Sequence, residues 1–174
     1  MPHVVFLRAA NVGGKNVFRP AKLAAALAHM GVVNVGAAGT FVVREKASAT
    51  AVRREILAQL PFVPDLAIRP AAEVLALVKS DPFRGVEFSR DLRGWVAAMG
   101  EKPKTIPALP VMEPAGAGWS VRVDRVDGAF ALGLSRRRPE GSVFPSNVVE
   151  DALGVRATTR WWETMLRIAR IIEA

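Results

Sequence analysis

Apolar residues fall along the chain in short blocks whose spacing switches between strand-like and helix-like. Val4 to Leu7 is a β-branched and aromatic run, which predicts a strand buried on both faces. Pro20 then stands where a helix can begin, because its missing N–H costs nothing at the first helical position. Leu23, Leu27 and Met30 follow at helical spacing, and Gly31 can close that helix in a left-handed cap. "VVNVGAAGTFVVR" predicts two strands around a Gly-Ala-Ala-Gly turn. Ser48 or Thr50 can cap a helix carrying Val52, Ile56, Leu57 and Leu60. "PDLAIRP" predicts a short strand and "AAEVLALVKS" another helix.

"SDPFRG" marks a joint, and a second set of elements follows it. "RGWVAAMG" is strand-like. "EKPKTIPALPVMEPAGAG" holds four prolines, which predicts loop or one short helical turn. In "WSVRVDRVDGAFALGLSRR" apolar and charged residues alternate, and Asp127-Gly128 is a favoured two-residue hairpin turn. Pro145 starts a helix that Gly154 ends. Thr159 to Glu173 reads as a long amphipathic helix with Trp162, Met165, Leu166, Ala169 and Ile172 on one stripe. The order β-α-β-β-α-β, then a helix, then β-(irregular)-β-β-α predicts an α+β plait. The expected division is residues 1–82, a first subdomain with its following helix, and 83–174, a second with the C-terminal helix.

Composition narrows the compartment more than the chemistry. The 174 residues are 51% hydrophobic and 23% charged, ordinary for a folded domain. No apolar run approaches the ~20 residues that span a bilayer. The opening "MPHVVFLRAANVGG" has no basic, long-apolar and small-residue sequence of a leader. Without cysteine there are no disulfides, thiol nucleophiles or thiolate metal sites. A cytoplasmic protein with no membrane partner is expected. The net charge of +8 attracts phosphates and also favours solubility. Its distribution is uneven, since Met1 to Arg44 contains no acidic residue but holds Arg8, Lys15, Arg19, Lys22 and Arg44.

Three stretches carry candidate chemistry. "LRAANVGGKN" ends a strand with Arg8, Asn11, Gly13, Gly14, Lys15 and Asn16. Glycines let several backbone N–H groups converge on an anion, and a lysine adds charge. The same glycines serve equally a turn needing positive φ. The loop is not a Walker motif, because Ala9 and Asn16 stand where that pattern needs Gly and Ser/Thr. "TTRWW" is read as the start of the last helix, capped by Thr158 or Thr159, with Arg160 in a first turn where the helix dipole disfavours a cation. Arg160 then holds a bound anion, or pairs within the fold with Glu150 or Asp151 while Trp161 and Trp162 are core. Arg167 has Glu163 four residues earlier as a helix partner. "SRRRPEG" (135–141) is a basic run, either a solvated loop or a phosphate contact.

Resources for catalysis are few. His3 and His29 have no serine or carboxylate at a telling distance, and no grouping has metal-ligand spacing. Glu150-Asp151 reads as helix surface rather than an acid/base pair. No catalytic residue, metal or cofactor is expected.

"LRAANVGGKN", the helix and hairpin after it, "FPSNVVEDALG" (144–154) and "ATTRWWET" (157–164) together give a resemblance to the bacterial family catalogued as domain of unknown function 1697, over nearly the whole chain. Members typically close with Thr-Thr-Arg-Asn-Trp-Asn-Thr. Thr158, Thr159, Arg160, Trp162 and Thr164 fit, and Trp161 and Glu163 depart. The family's hairpin usually carries Ser-Gly-Asn, of which Gly39 remains while Ala38 and Thr40 replace the polar pair. The resemblance implies two ferredoxin-like plaits packed together, with mixed antiparallel sheets and helices on one face, and no established activity.

The function expected is an anion- or phosphate-binding, non-enzymatic module, with nucleic-acid backbone as a partner. Arg8, Asn11, Gly13, Gly14, Lys15, Asn16, Thr159 and Arg160 are the expected anion site. The rivals are an enzyme acting on a small phosphorylated or carboxylated substrate, and a protein-interaction module without ligand.

Overall fold

The computed structural model describes residues 1–11, 13–141 and 143–174; Val12 and Ser142 lie outside the described residues. Among the described residues, two antiparallel sheets and five α-helices make an α+β protein. Packing divides the chain into two units, Met1–Pro82 with Thr164–Ala174, and Phe83–Glu163.

In the first unit β1 (His3–Leu7) is central. It pairs with β3 (Thr40–Val43) on one side and β4 (Leu66–Pro70) on the other, while β2 (Val32–Asn34) pairs with β3. The strand order is β2-β3-β1-β4. α1 (Pro20–Ala26) starts on its proline and ends through a 3-10 turn at Gly31, which takes the left-handed conformation with φ 60°. α2 (Ala49–Ala58) is capped by the Ser48 hydroxyl, which accepts from the Ala51 N–H at 3.1 Å. Alternate residues Val5, Leu7, Phe41 and Val43 form one apolar core with Leu23, Val52 and Ile56 from the helices and Leu27 just after α1. α3 (Ala71–Lys79) follows β4 directly.

In the second unit β5 (Leu92–Met99) pairs with β8 (Phe130–Arg136) and β9 (Ala157–Trp161). β7 (Val121–Asp127) pairs with β8, and β6 (Val111–Glu113) with β7, giving the order β6-β7-β8-β5-β9. The proline-rich stretch after β5 contains no α-helix, but β6 lies within it, so the expectation of loop or one helical turn throughout is corrected there by pairing with β7. The β7–β8 hairpin forms as its alternation predicts, but Asp127 pairs with Phe130, so Gly128 and Ala129 make the turn rather than Asp127-Gly128. The register shifts between Val123 and Arg125, leaving Asp124 as an extra residue on β7. α4 (Pro145–Leu153) lays Val148, Val149 and Leu153 on Trp95, Ala97, Val121, Val123 and Ala131. Gly133 has no room for a side chain, since a Cβ there would stand 1.8 Å from the Arg122 carbonyl oxygen and 2.7 Å from the Trp95 ring.

The C-terminal region differs from the sequence reading in two ways. Thr158, Thr159 and Arg160 belong to β9, and α5 runs only from Trp162 to Glu173. Local cues made the threonines helix caps, but two β-branched residues also suit a strand, and five pairings with β5 decide the matter. The stripe of α5 is buried at Trp162, Met165, Ile168 and Ala169, with Leu166 and Ile172 only partly covered. From Thr164 onward the helix groups with the first unit rather than the second. There the Arg44 guanidinium donates to the Ile171 carbonyl at 2.9 Å, and Lys79 pairs with Glu173 at 3.0 Å.

Candidate anion-binding site

The loop after β1 is a tight turn held by asparagines. Ala9, Asn11, Gly13, Gly14 and Asn16 all take positive φ, between 50° and 72°. A Cβ on Gly13 or Gly14 would meet nothing within 4 Å, so these glycines serve the backbone conformation and not a close approach. Asn11 uses both ends of its amide. Its Nδ2 donates to the Ala37 carbonyl at 3.0 Å, and its Oδ1 accepts from the Phe18 N–H at 2.9 Å. Asn16 donates to the Ala9 carbonyl at 3.4 Å, and its own carbonyl accepts from the Asn11 N–H at 3.2 Å. Lys15 is exposed; Arg8 is half-buried, with its backbone N–H bonded to the Asp65 carbonyl at 2.9 Å.

This loop rests on the 36–39 turn. The Leu7 N–H donates to the Gly39 carbonyl at 2.8 Å. Gly39 has φ 72°, and a Cβ there would come within 2.9 Å of Leu7 Cβ and 3.1 Å of Ala10 Cβ. The glycine that remains of the hairpin pattern is therefore required by the same contact that seats the loop.

Thr159 and Arg160 lie in the second unit, while Arg8 to Asn16 lie in the first. Arg160 is buried, and its Nη1 donates to Thr158 Oγ1 at 3.0 Å and to the Thr159 carbonyl at 2.8 Å. Burial pulls its pKa down to about 10, so it is still a cation at neutral pH. The helix-dipole argument for Arg160 lapses with its place on β9. Trp162 is core, packed edge-on against Phe83 at 5.1 Å, whereas Trp161 is 36% exposed. Glu163 pairs with Arg93 at 3.4 Å, and Arg167 donates to the Val35 carbonyl at 3.4 Å.

Another gathering of cations lines a cleft of about 340 Å³ within the second unit. Five arginines line it: Arg90, Arg93, Arg136, Arg137 and Arg138, with Asp91 as the one acidic group. Strand register brings them together. Leu92 pairs with Arg136 and Arg93 with Ser135, and the Arg137 N–H continues the ladder to the Asp91 carbonyl at 2.8 Å. The Ser89 hydroxyl accepts from the Asp91 and Leu92 N–H groups at 3.2 and 3.0 Å, fixing the turn that carries Arg90.

The guanidinium groups differ in their commitments. Arg136 bonds the Trp119 and Ala117 carbonyls at 2.6–3.2 Å and lies 4.1 Å from the Trp119 ring centroid. It supplies charge from a fixed position. Arg93 stacks on Trp161, 4.0 Å from the ring centroid. Among the described residues, Arg90, Arg137 and Arg138 make no side-chain ion pair or hydrogen bond. Trp161 also lines the cleft. A neighbouring hollow of about 450 Å³ shares Ser120, Arg138, Gly141 and Val143 and brings Glu140 near its rim. Sequence reading had singled out "SRRRPEG" but not its partners, because Arg90, Arg93 and Trp161 come from two other stretches of chain.

Among the described residues no group of three His, Cys, Asp or Glu side chains could hold a metal. No helix among them is long and apolar enough to cross a membrane.

The chain is similar in fold to the conserved bacterial protein SP0830 from Streptococcus pneumoniae, with a TM-score of 0.61, 14% identity and 98% of each chain covered. No curated protein matches it. A family model described as "Protein of unknown function (DUF1697)" matches residues 1–115. That span includes the Leu7–Asn16 loop and the hairpin it rests on, and ends before "FPSNVVEDALG" and "ATTRWWET". With about two-thirds of its length matched, the chain belongs to the DUF1697 family.

Proposed function

We propose that the protein is a cytoplasmic, non-enzymatic module that binds phosphate-rich polyanions, nucleic-acid backbone foremost. The observation that carries this reading is the cleft in which five arginines face one aspartate. Guanidinium groups bind phosphate oxygens through forked donors, and Arg90, Arg137 and Arg138 have those donors available. Lys15, exposed in its loop, adds a second point of charge, with Arg8 directly after β1 and Asn11 and Asn16 shaping the loop. Arg160 stays in this proposal as a contributor to the positive field, with Thr159, whose carbonyl accepts from its guanidinium, as the residue that positions it. Both sheets, with order β2-β3-β1-β4 in the first and β7-β8-β5-β9 plus the edge strand β6 in the second, are read as ferredoxin-like plaits, a fold that hosts RNA binders and enzymes alike.

The test is the salt dependence of binding to a labelled duplex and to a labelled single strand. Each phosphate neutralised contributes about −0.9 to the slope of log K against log salt on duplex DNA, and about −0.7 on single strands. Arg137→Ala and Arg138→Ala are each expected to flatten the slope by about one contact, and Lys15→Ala by no more than that. Arg53→Ala, on α2, removes an equal charge elsewhere. If Arg53→Ala weakens binding as much as Arg137→Ala, the attraction is the +8 net charge alone and the site is wrong.

The size of the cleft favours one rival. About 340 Å³ lies in the range of small-ligand pockets, which suits a small phosphorylated or carboxylated substrate. Oligonucleotide affinity that does not rise with length, with inorganic phosphate or a mononucleotide competing equally well, would favour that rival.

A further inference from the structure

We infer that the arginine cleft takes single-stranded nucleic acid, with an unpaired base stacked on Trp161. This rests on the polyanion reading of that cleft. A polyanion site needs only cations, yet this one includes a large aromatic ring left partly in solvent. Tryptophan is normally placed where its large apolar surface is covered. Trp161 is instead 36% exposed, at the end of β9, the last strand in its sheet's order.

The ring is also held. Trp161 pairs across the sheet with Trp95, and Arg93 lies two residues before Trp95 on β5. That diagonal sets the Arg93 guanidinium 4.0 Å from the indole centroid, and Glu163 holds Arg93 from beyond at 3.4 Å. Trp161 and Glu163 both touch Arg93, one through its ring and the other through its carboxylate. One face of the indole is thus covered by a cation, while 36% of the residue stays open to solvent. A base can add to it as the second partner of the same ring.

Strand selectivity follows from chemistry. Stacking on an aromatic side chain requires an exposed base face, which a single strand offers and a duplex hides. Every base has such a face, so the contact tolerates any sequence. Arg137 and Arg138, directly after β8, and Arg90 in the turn before β5, meet the flanking phosphates.

The experiment uses the full chain, a fluorescein-labelled oligo(dT) of about twelve nucleotides, a hairpin duplex of similar charge, and polyphosphate as a polyanion without bases. Wild type is expected to prefer oligo(dT) to the hairpin. Trp161→Ala is expected to lose about five- to a hundredfold in oligo(dT) affinity, the range for removal of a stacking aromatic, and to keep its polyphosphate affinity. Trp161→Phe restores most of the loss and guards against misfolding as its cause. Equal affinity for hairpin and oligo(dT) overturns the inference. So does an unchanged oligo(dT) affinity in Trp161→Ala, or an equal loss for polyphosphate, while binding by charge stands in all three cases. If wild type binds neither oligonucleotide nor polyphosphate, the polyanion reading itself falls and this inference with it.

Discussion

Four strands in each sheet follow one order, reached by different crossovers, and the second sheet adds β6 beside β7. In the first unit β1 connects to β2 through α1 and a 3-10 turn, and two helices share the apolar face with Val5, Leu7, Phe41 and Val43. In the second unit β5 connects onward through a proline-rich segment with no α-helix, and α4 is the helix on the corresponding face. Strand pairing is therefore the invariant and the crossover is negotiable. The cost falls on the covered face. Where α4's apolar residues end, the face continues into Arg93, Ser135 and Trp161, and these are cleft residues rather than core.

If the second unit compensates for its missing helix with large aromatic contacts, Trp162→Ala should have the largest effect. Trp162 is buried against Phe83, which itself packs on Phe88 at 5.6 Å. A loss of about 3–5 kcal/mol is expected from denaturant melts. A loss below about 1 kcal/mol would remove Trp162 from the core and weaken the comparison.

Gly133→Ala should follow, at about 3 kcal/mol. The added methyl meets backbone at Arg122 and the Trp95 ring, neither of which can swing aside as a flexible side-chain end would. A melt close to wild type would mean that β7 and β8 can spread, and that pairing is less rigid than the shared strand order implies.

In the first unit the corresponding test is the loop. Asn11→Ala removes two hydrogen bonds and places alanine at φ 54°, so about 1–2 kcal/mol is expected. Hydrogen exchange should rise first at Phe18 and around Ala37. An unchanged exchange pattern would mean that the loop is held mainly by Gly39 and its neighbours.

The smallest expected effect separates the units by pH. His3 is buried between Val43 and Pro70, and burial, with help from the terminal amine and Arg69, holds its pKa below the usual 6.5. The folded protein keeps His3 neutral while the unfolded chain takes up a proton near 6.5. This stabilising difference is full above that value and is lost as pH falls from about 6.5 toward the lowered folded value. Arg160, the buried base of the second unit, falls only to about 10 and stays charged throughout that window. Urea midpoints at about pH 7.5 and 5.5 should differ less in His3→Leu than in wild type. An equal difference would place the acid sensitivity in other groups.

The sequence announced elements whose signals are local. Pro20 and Gly31 frame the first helical segment, Ser48 caps α2, and Pro145 and Gly154 frame α4. The Leu7–Asn16 stretch was legible as a turn needing positive φ, and the glycines take it. β9 was not legible, because Thr158 and Thr159 carry a cap signal and a strand propensity at once, and only pairing with β5 chooses between them. The arginine cleft was illegible for a similar reason. Its members stand at 90–93, 136–138 and 161, and nothing along the chain says that Leu92 lies opposite Arg136.

The Asn11 amide makes two distant segments one part. It spans from Phe18 to Ala37, while Gly39 gives Leu7 and Ala10 the space to lie against the same turn. The Leu7–Asn16 loop is therefore not a transferable cassette. Moved alone onto another scaffold, it leaves behind the carbonyl that orients Asn11 and the glycine that admits Leu7, and it loses its shape. Moved together with Val17, Phe18 and residues 35–40, it keeps both partners of the Asn11 amide. Any exchange between relatives, by recombination or by design, has to carry the loop and the hairpin turn as a pair.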